Sequence, residues 1–178
     1  MIFDGKLYIY GGEDIKEGKF EDLQYLDLDE FFDHEEKDLE DKEVDDEEHY
    51  RWKTVTTTGD KPGPLAHHKA CIHNQCMYLI GGLDGVGNNN PNFYSLDMNT
   101  FKWTKIEADE APEPRDDHSI CVDEDKLFVF GGFVSGVRRN DLYAFDFTAE
   151  TWECLYEHKE LDYDEAQNST DTPEPRSG

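Results

Sequence analysis

Positive charge is what this sequence has least of. Seventeen Lys and Arg stand against 43 Asp and Glu, a formal net charge of −26 over 178 residues. Phosphate contacts need Lys and Arg, so a surface of this kind repels nucleic acid and anionic membranes, and neither is expected as a partner. No apolar run reaches the 18 or so residues that a membrane span requires. The opening stretch MIFDGKLYIY lacks a basic segment followed by an apolar one, so no signal peptide is expected. Cysteine is sparse: Cys71, Cys76, Cys121 and Cys154. Without a secretion signal these read as free thiols, and Asn168-Ser169-Thr170 as a chance match to the glycosylation pattern. These absences describe an acidic cytoplasmic protein, with the nucleus as the second compartment.

What is present is a repeat. Gly11-Gly12, Gly81-Gly82 and Gly131-Gly132 each end an apolar run and open an irregular segment. An apolar-Asp-apolar triplet follows at Asp27, Asp97 and Asp146, 16, 16 and 15 residues after the first glycine. Trp52, Trp103 and Trp152 come next, 25, 6 and 6 residues after the Asp. A Pro-x-Pro follows each Trp, at Pro62, Pro112 and Pro173. The first unit carries about 19 extra residues between Asp and Trp; without them the glycine pairs recur every 50 or so.

Each unit reads as four short strands rich in Val, Ile, Phe, Tyr and Leu and bounded by turn residues. In the third unit they are His118 to Val122, Lys126 to Phe130 ending in Gly-Gly, Asp141 to Phe147, and a strand centred on Trp152. The turns between strands one and two fall at Asp4-Gly5, Asn74-Gln75 and Glu124-Asp125, of which Asp-Gly is a strong two-residue hairpin signal. The glycine pairs mark places where a side chain would crowd an adjacent backbone. The units run 1–61, 62–111 and 112–172, with residues 173–178 leading into a further one.

Four antiparallel strands repeated at about 50 residues is the spacing of kelch blades. With Gly-Gly after strand two, an apolar-Asp pair and Trp six residues on, the sequence resembles the kelch-repeat β-propeller family. The form Pro112-x-Pro114-Arg115-x-x-His118 is similar to the multi-kelch subgroup. The resemblance implies an all-β fold of about three four-stranded antiparallel blades, the three tryptophans occupying equivalent sites. It also implies a fragment of a propeller of about 300–350 residues if six or seven blades are assumed, or closure by pairing with other chains.

Candidate chemistry is thin. His67, His68, Cys71, His73 and Cys76 crowd into ten residues, and a hairpin turning at Asn74-Gln75 sets Cys71, His73 and Cys76 on one face, as zinc would need. The third unit has Cys121, Asp123 and Lys126 at those places, which reads as a solvated hairpin mouth with a small core cysteine. No metal or cofactor is expected. His68 and His118 occupy equivalent positions and read as structural, bonding to backbone of a neighbouring turn. Some kelch propellers are oxidases with tyrosine-ligated copper; nothing in the nine tyrosines singles out such a site, and a catalytic centre in further blades is the rival reading.

Two inserts stand out. Residues 27–48 hold 14 acids and two lysines, a net charge of −12, which predicts a disordered or transiently helical loop, either plainly solvated or a lure for a basic partner. Residues 157–172 read as a polar loop. In a four-stranded meander the one–two and three–four loops share one rim, and the two–three and four–one loops share the other. Kelch propellers commonly bind partners through the latter, as the resemblance implies. Arg138 and Arg139, scarce cations in a two–three loop, are the candidate binding residues; their alternative role is to balance acids such as Asp141. The expected function is a non-catalytic protein-interaction scaffold or adaptor. No small-molecule substrate is expected.

Overall fold

The computed structural model describes residues 1–32, 51–158, 173 and 175–177. Three β-meanders follow one another. The first has β1 (Ile2–Phe3), β2 (Lys6–Tyr10), a two-stranded ribbon of β3 (Glu13–Asp14) and β4 (Gly18–Lys19), then β5 (Leu23–Asp27) and β6 (Lys53–Val55), with sheet order β1-β2-β5-β6. The second has β7 (Thr58–Gly59), β8 (Leu65–Ala66), β9 (Lys69–His73), β10 (Cys76–Ile80), β11 (Leu83–Asp84), β12 (Phe93–Asp97) and β13 (Lys102–Ile106). The third has β14 (Ser119–Asp123), β15 (Lys126–Val134), β16 (Val137–Asp146) and β17 (Thr151–Tyr156), in the order β14-β15-β16-β17. The expected all-β, blade-by-blade architecture is therefore present. One departure is that blade two has five strands, because β7 adds in parallel to the outer side of β13. The acidic insert begins as helix over 28–32; the rest of it, residues 33–48, lies outside the described residues, as does most of the 157–172 loop.

The repeated Asp has a local job. Asp27, Asp97 and Asp146 each end strand three, and each carboxylate oxygen accepts the N–H groups two and three residues on. The Asp folds its side chain over the turn and starts the reversal into strand four. In blades two and three a backbone bond then closes it, from Phe101 N–H to the Asp97 carbonyl and from Glu150 N–H to the Asp146 carbonyl, both at 2.8 Å.

The glycine pairs lock one blade to the next segment of chain. The N–H of the second glycine donates to a carbonyl just after the Pro-x-Pro: Gly12 to Leu65 at 2.9 Å, Gly82 to Arg115 at 2.8 Å and Gly132 to Arg176 at 2.9 Å. The first glycine leaves room for the same oxygen. A Cβ on Gly81 would lie 2.4 Å from the Arg115 oxygen and 2.7 Å from Cε1 of His118. In blade three the pair does not end strand two: β15 continues to Val134, with a shift of register between Phe130 and Gly132.

Two hydrophobic seams result. Tyr8, Tyr10 and Leu23 of blade one meet Met77, Leu79, Leu96 and Trp103 of blade two. Ile80 and Phe93 of blade two meet Leu127, Val129, Phe145 and Trp152 of blade three. Trp103 and Trp152 do the same work: each packs on an aromatic ring of the preceding blade, Tyr10 at 5.2 Å and Phe93 at 5.5 Å. Trp52 does not share that environment and is 42% exposed. The β5–β6 register, continued by one residue, would set it opposite Leu26, as Trp103 stands opposite Leu96. The ladder stops at Lys53, however, and among the described residues no aromatic ring of another blade packs on the indole.

Beneath the second seam, Arg115 is 1% exposed and holds Asp141 with two bonds, 2.6 and 3.0 Å; it also donates to the Gly131 carbonyl at 2.8 Å. A charge buried this deeply is tolerable only while its partner remains.

Two expectations follow. Gly81→Ala, which combines φ +66 with a backbone clash, should cost roughly 3 kcal/mol or more by chemical denaturation. Gly87→Ala has φ +90 but open space around it, and should cost only about 1–2 kcal/mol. Arg115→Met should cost roughly 3–5 kcal/mol, and the double variant Arg115→Met with Asp141→Leu should recover most of that loss. Equal losses in the single and double variants would place the stabilising role elsewhere.

Candidate functional site

The rim that carries the two–three and four–one connections is built from residues 11–22, 81–92 and 131–140 with the Pro-x-Pro segments between them. Local rules shape its loops. Asp14 accepts N–H bonds from Lys16 and Glu17, and Asp84 from Val86 and Asn88, so each carboxylate closes its own loop. In blade three a tight turn at Ser135-Gly136, with φ +49 and +89, does this instead. All three loops lift one aliphatic side chain into solvent: Ile15, Val86 and Val137, exposed by 103, 84 and 44%.

The loops are braced from below. Leu83 pairs with Ala66 in antiparallel fashion, and Phe133 with Asp116 at the matching place in blade three. The Asn89 amide donates to the Asp116 carboxylate at 2.6 Å. One contact links three blades. His67 meets the Glu13 carboxylate through Nε2 at 2.8 Å and the Asp117 carboxylate through Nδ1 at 3.0 Å. An imidazole can donate to both only when both nitrogens carry protons. The Glu13 and Asp117 bonds raise the His67 pKa and favour that charged form.

Arg138 and Arg139 do not lie in a loop. They belong to β16, paired with Phe133 and Gly132 in an extended hairpin, because the chain reverses tightly at Ser135-Gly136 and pairs with itself. Nor does either balance Asp141, which Arg115 already holds. Arg139 meets Glu113 at 2.8 Å, and Arg138 lies 5.8 Å from the centre of the Phe133 ring and bonds Ser177.

His68 and His118 sit at equivalent places, as expected, yet the expected backbone bond is missing. Both ring nitrogens of His118 and Nδ1 of His68 have no hydrogen-bond partner among the described residues. Packing holds them instead: the His118 Cβ lies 2.8 Å from where Gly132 would carry its own, and the His68 Cβ 2.7 Å from the matching point at Gly82. Burial, helped for His118 by Arg115 and for His68 by Lys69, pushes the His118 pKa down to about 3 and that of His68 to about 4.

The His-Cys cluster also separates. His67 faces the rim, while His73 stacks on Phe147 at 4.1 Å and meets Asp125 at 3.3 Å. Burial pushes the Cys71 thiol up to about 12, which makes it a poor thiolate. All four cysteines are free. The register does bring His73 opposite Cys76 and Cys71 opposite Tyr78. Among the described residues, no three His, Cys, Asp or Glu side chains are grouped to hold a metal ion.

The buried histidines set a pH response. An unfolded histidine takes up its proton near pH 6.5. The buried pair stays neutral until about pH 4 and 3, so between these limits the unfolded chain binds more protons, and stability falls as pH falls. The loss is about 1.4 kcal/mol per pH unit for each histidine. His67 works the other way, since its raised pKa stabilises below 6.5 and that support fades as pH rises through the folded value. Thermal melts of His118→Gln should show about half the wild-type slope of Tm against pH between 6.5 and 4.5. An unchanged slope would mean that His118 titrates normally.

The profile of the KLHDC2/KLHL20/DRC7 Kelch-repeats domain matches residues 32–178. Host cell factor homolog hcf-1 of Caenorhabditis elegans is 32% identical over 142 residues, covering 72% of this chain and 16% of that protein. The dynein alpha chain of the flagellar outer arm of Chlamydomonas reinhardtii is 30% identical over 111 residues, 58% of this chain and 2% of that protein. Kelch domain-containing protein 10 of Homo sapiens is 28% identical over 109 residues, 58% of this chain and 24% of that protein. The chain thus spans less than a quarter of each of these relatives. Meander blades, glycine pairs seated against the following segment, and a profile that matches most of the length lead to one assignment: the chain belongs to the kelch-repeat family.

Proposed function

We propose that this chain is a non-catalytic protein-interaction module, acting as a scaffold or adaptor, and that partners dock on the rim carrying the two–three and four–one connections. One observation carries the reading. Two loops and the tip of one hairpin, neighbours on the rim, each expose a β-branched aliphatic side chain, Ile15, Val86 and Val137, and are shaped by Asx turns at Asp14 and Asp84 and by the tight turn at Ser135-Gly136. Exposed apolar groups on a braced frame can be buried by a partner with little ordering of the loops themselves. The net charge of −26 favours a basic partner and makes encounter fast and salt-sensitive. Arg138, the more exposed of the two arginines, adds a local cation that would select an acidic group at one place on that partner. The kelch-repeats domain match and the likeness to a host cell factor homolog support the interaction class, and a cytoplasmic setting with reduced thiols suits the four free cysteines.

The test begins with a partner captured by cross-linking in cells and purified for titration. Converting Ile15, Val86 and Val137 together to Asp should weaken binding at least tenfold while leaving Tm within a few degrees. Arg138→Glu should weaken it less, and wild-type affinity should fall as salt rises. Binding that ignores the triple variant would move the interface off this rim.

A further inference from the structure

Strand four is the outer strand of each blade, and an outer strand leaves one row of backbone groups without a ladder partner. Blade two covers that row from within the chain. β7 lies parallel to β13, with Thr58 beside Lys102 and Gly59 beside Trp103. The Thr58 N–H donates to the Phe101 carbonyl at 3.0 Å, and the Asp60 N–H to the Trp103 carbonyl at 3.1 Å. The seat demands glycine: a Cβ on Gly59 would lie 2.1 Å from the Trp103 oxygen, and φ there is +81.

Blade three repeats the outer strand without the cover. Among the described residues β17 pairs with β16 alone. The carbonyls matching those of Phe101 and Trp103 belong to Glu150 and Trp152, and Phe101 and Glu150 share a left-handed backbone, φ +52 and +54. No backbone N–H among the described residues reaches either carbonyl. The reason lies in the connection that would have to do so. Blade one sends Thr-Thr-Thr-Gly-Asp-Lys (56–61) across blade two, whereas blade two sends Glu-Ala-Asp-Glu-Ala (107–111) toward blade three. The second connection is one residue shorter and has no glycine. It turns at Asp109 and Glu110 instead of running along the strand. Laid beside β17, its three carboxylates would face Glu150 and Glu153, and like charges in such pairs repel.

We propose that the open edge of β17 is a strand-addition site for a partner protein. The occupant is an extended segment running parallel to β17, with a glycine where it crosses the Trp152 carbonyl and Lys or Arg to either side. The β7 seat on β13 shows the geometry. Charge selects the chemistry: residues 150–157 hold Glu150, Glu153 and Glu157 and no Lys or Arg. Thr151, Glu153, Cys154 and Leu155 are exposed along the strand. Main-chain bonds supply the affinity in this mode, and the flanking charges and the glycine supply the selection. This site is independent of the rim.

The probe is a fluorescent peptide carrying the sequence of residues 56–61 flanked by lysines, titrated into the full chain by anisotropy. Saturable binding is expected, at least tenfold weaker when the peptide glycine is replaced by Val and when glutamates replace the flanking lysines. Replacing residues 107–111 with Thr-Thr-Thr-Gly-Asp-Lys should cap the edge in cis: amide exchange should slow in the grafted segment, and peptide affinity should drop at least tenfold. Arg138→Glu and the Asp variants of Ile15, Val86 and Val137 should leave peptide binding unchanged. Equal affinity of the Gly and Val peptides would overturn the proposal even if the graft failed to fold. So would undiminished binding to a folded graft, or a concentration-dependent dimer that protects residues 151–155 and would give the edge to a second copy.

Discussion

One hydrogen bond, made three times, organises this molecule: the N–H of a glycine pair's second member donating to the carbonyl that follows the next Pro-x-Pro. It spans the step from one blade to the connecting chain, at 2.9, 2.8 and 2.9 Å. Because the first glycine has no side chain, the carbonyl sits close enough to the strand end to leave no gap. Everything placed near that carbonyl inherits the position. Arg115 is carried inward to Asp141, and His118 is pressed between two glycine pairs. The tryptophan of strand four closes on the aromatic ring of the blade before it. A meander alone does not stack blades at a fixed angle; this latch does.

The same constraint prepares the rim. Once each Pro-x-Pro segment is held against the preceding blade, the loops after the glycine pairs have fixed feet. Asp14, Asp84 and the Ser135-Gly136 turn then need only shape short tips. His67 reaches across to Glu13 and Asp117 from a position set by the latch, so a proton at one imidazole ties three blades together at the surface. Deeper down, neutral His118 and His68 are held by the opposite condition, exclusion of water and of charge. One rim thus carries histidines with opposite responses to acid, and their burial decides which response each gives.

Where the repeats differ, the differences change the surface more than the core. A shorter, glycine-free, acidic connection leaves the outer strand of blade three without a cover among the described residues, whereas Gly59 lets the chain cover blade two. The two–three segment of blade three closes into a hairpin and so takes Arg138 and Arg139 out of a loop and into a ladder. Glu113 then engages Arg139, while Asp141 stays with Arg115. In each case the backbone pairing comes first and the charges settle on whatever partners that pairing brings within reach.

Repetition made the fold readable in advance. Three glycine pairs, three Asp and three Trp, at matching steps apart from the insert before Trp52, specify strands, turns and blade order, because each has a local cause: positive φ, an Asx turn, an aromatic knob. Those rules act within a few residues, so the linear order contains them. What the linear order could not supply was the neighbour. Trp52 carries the same signature as Trp103 and Trp152 yet stays 42% exposed, because the signature does not specify the ring of another blade on which the other two indoles pack. His68 and His118 were recognisable as a pair, but that they would be packed, with both His118 nitrogens and Nδ1 of His68 lacking a partner among the described residues, depended on glycines 14 residues onward being folded back against them. The His67 clasp joins residues 54 and 50 positions apart, and the cover on β13 depends on an edge formed by strands that come later in the chain. Local chemistry determined the elements, and contact between distant elements decided which side chains are buried, paired or left open.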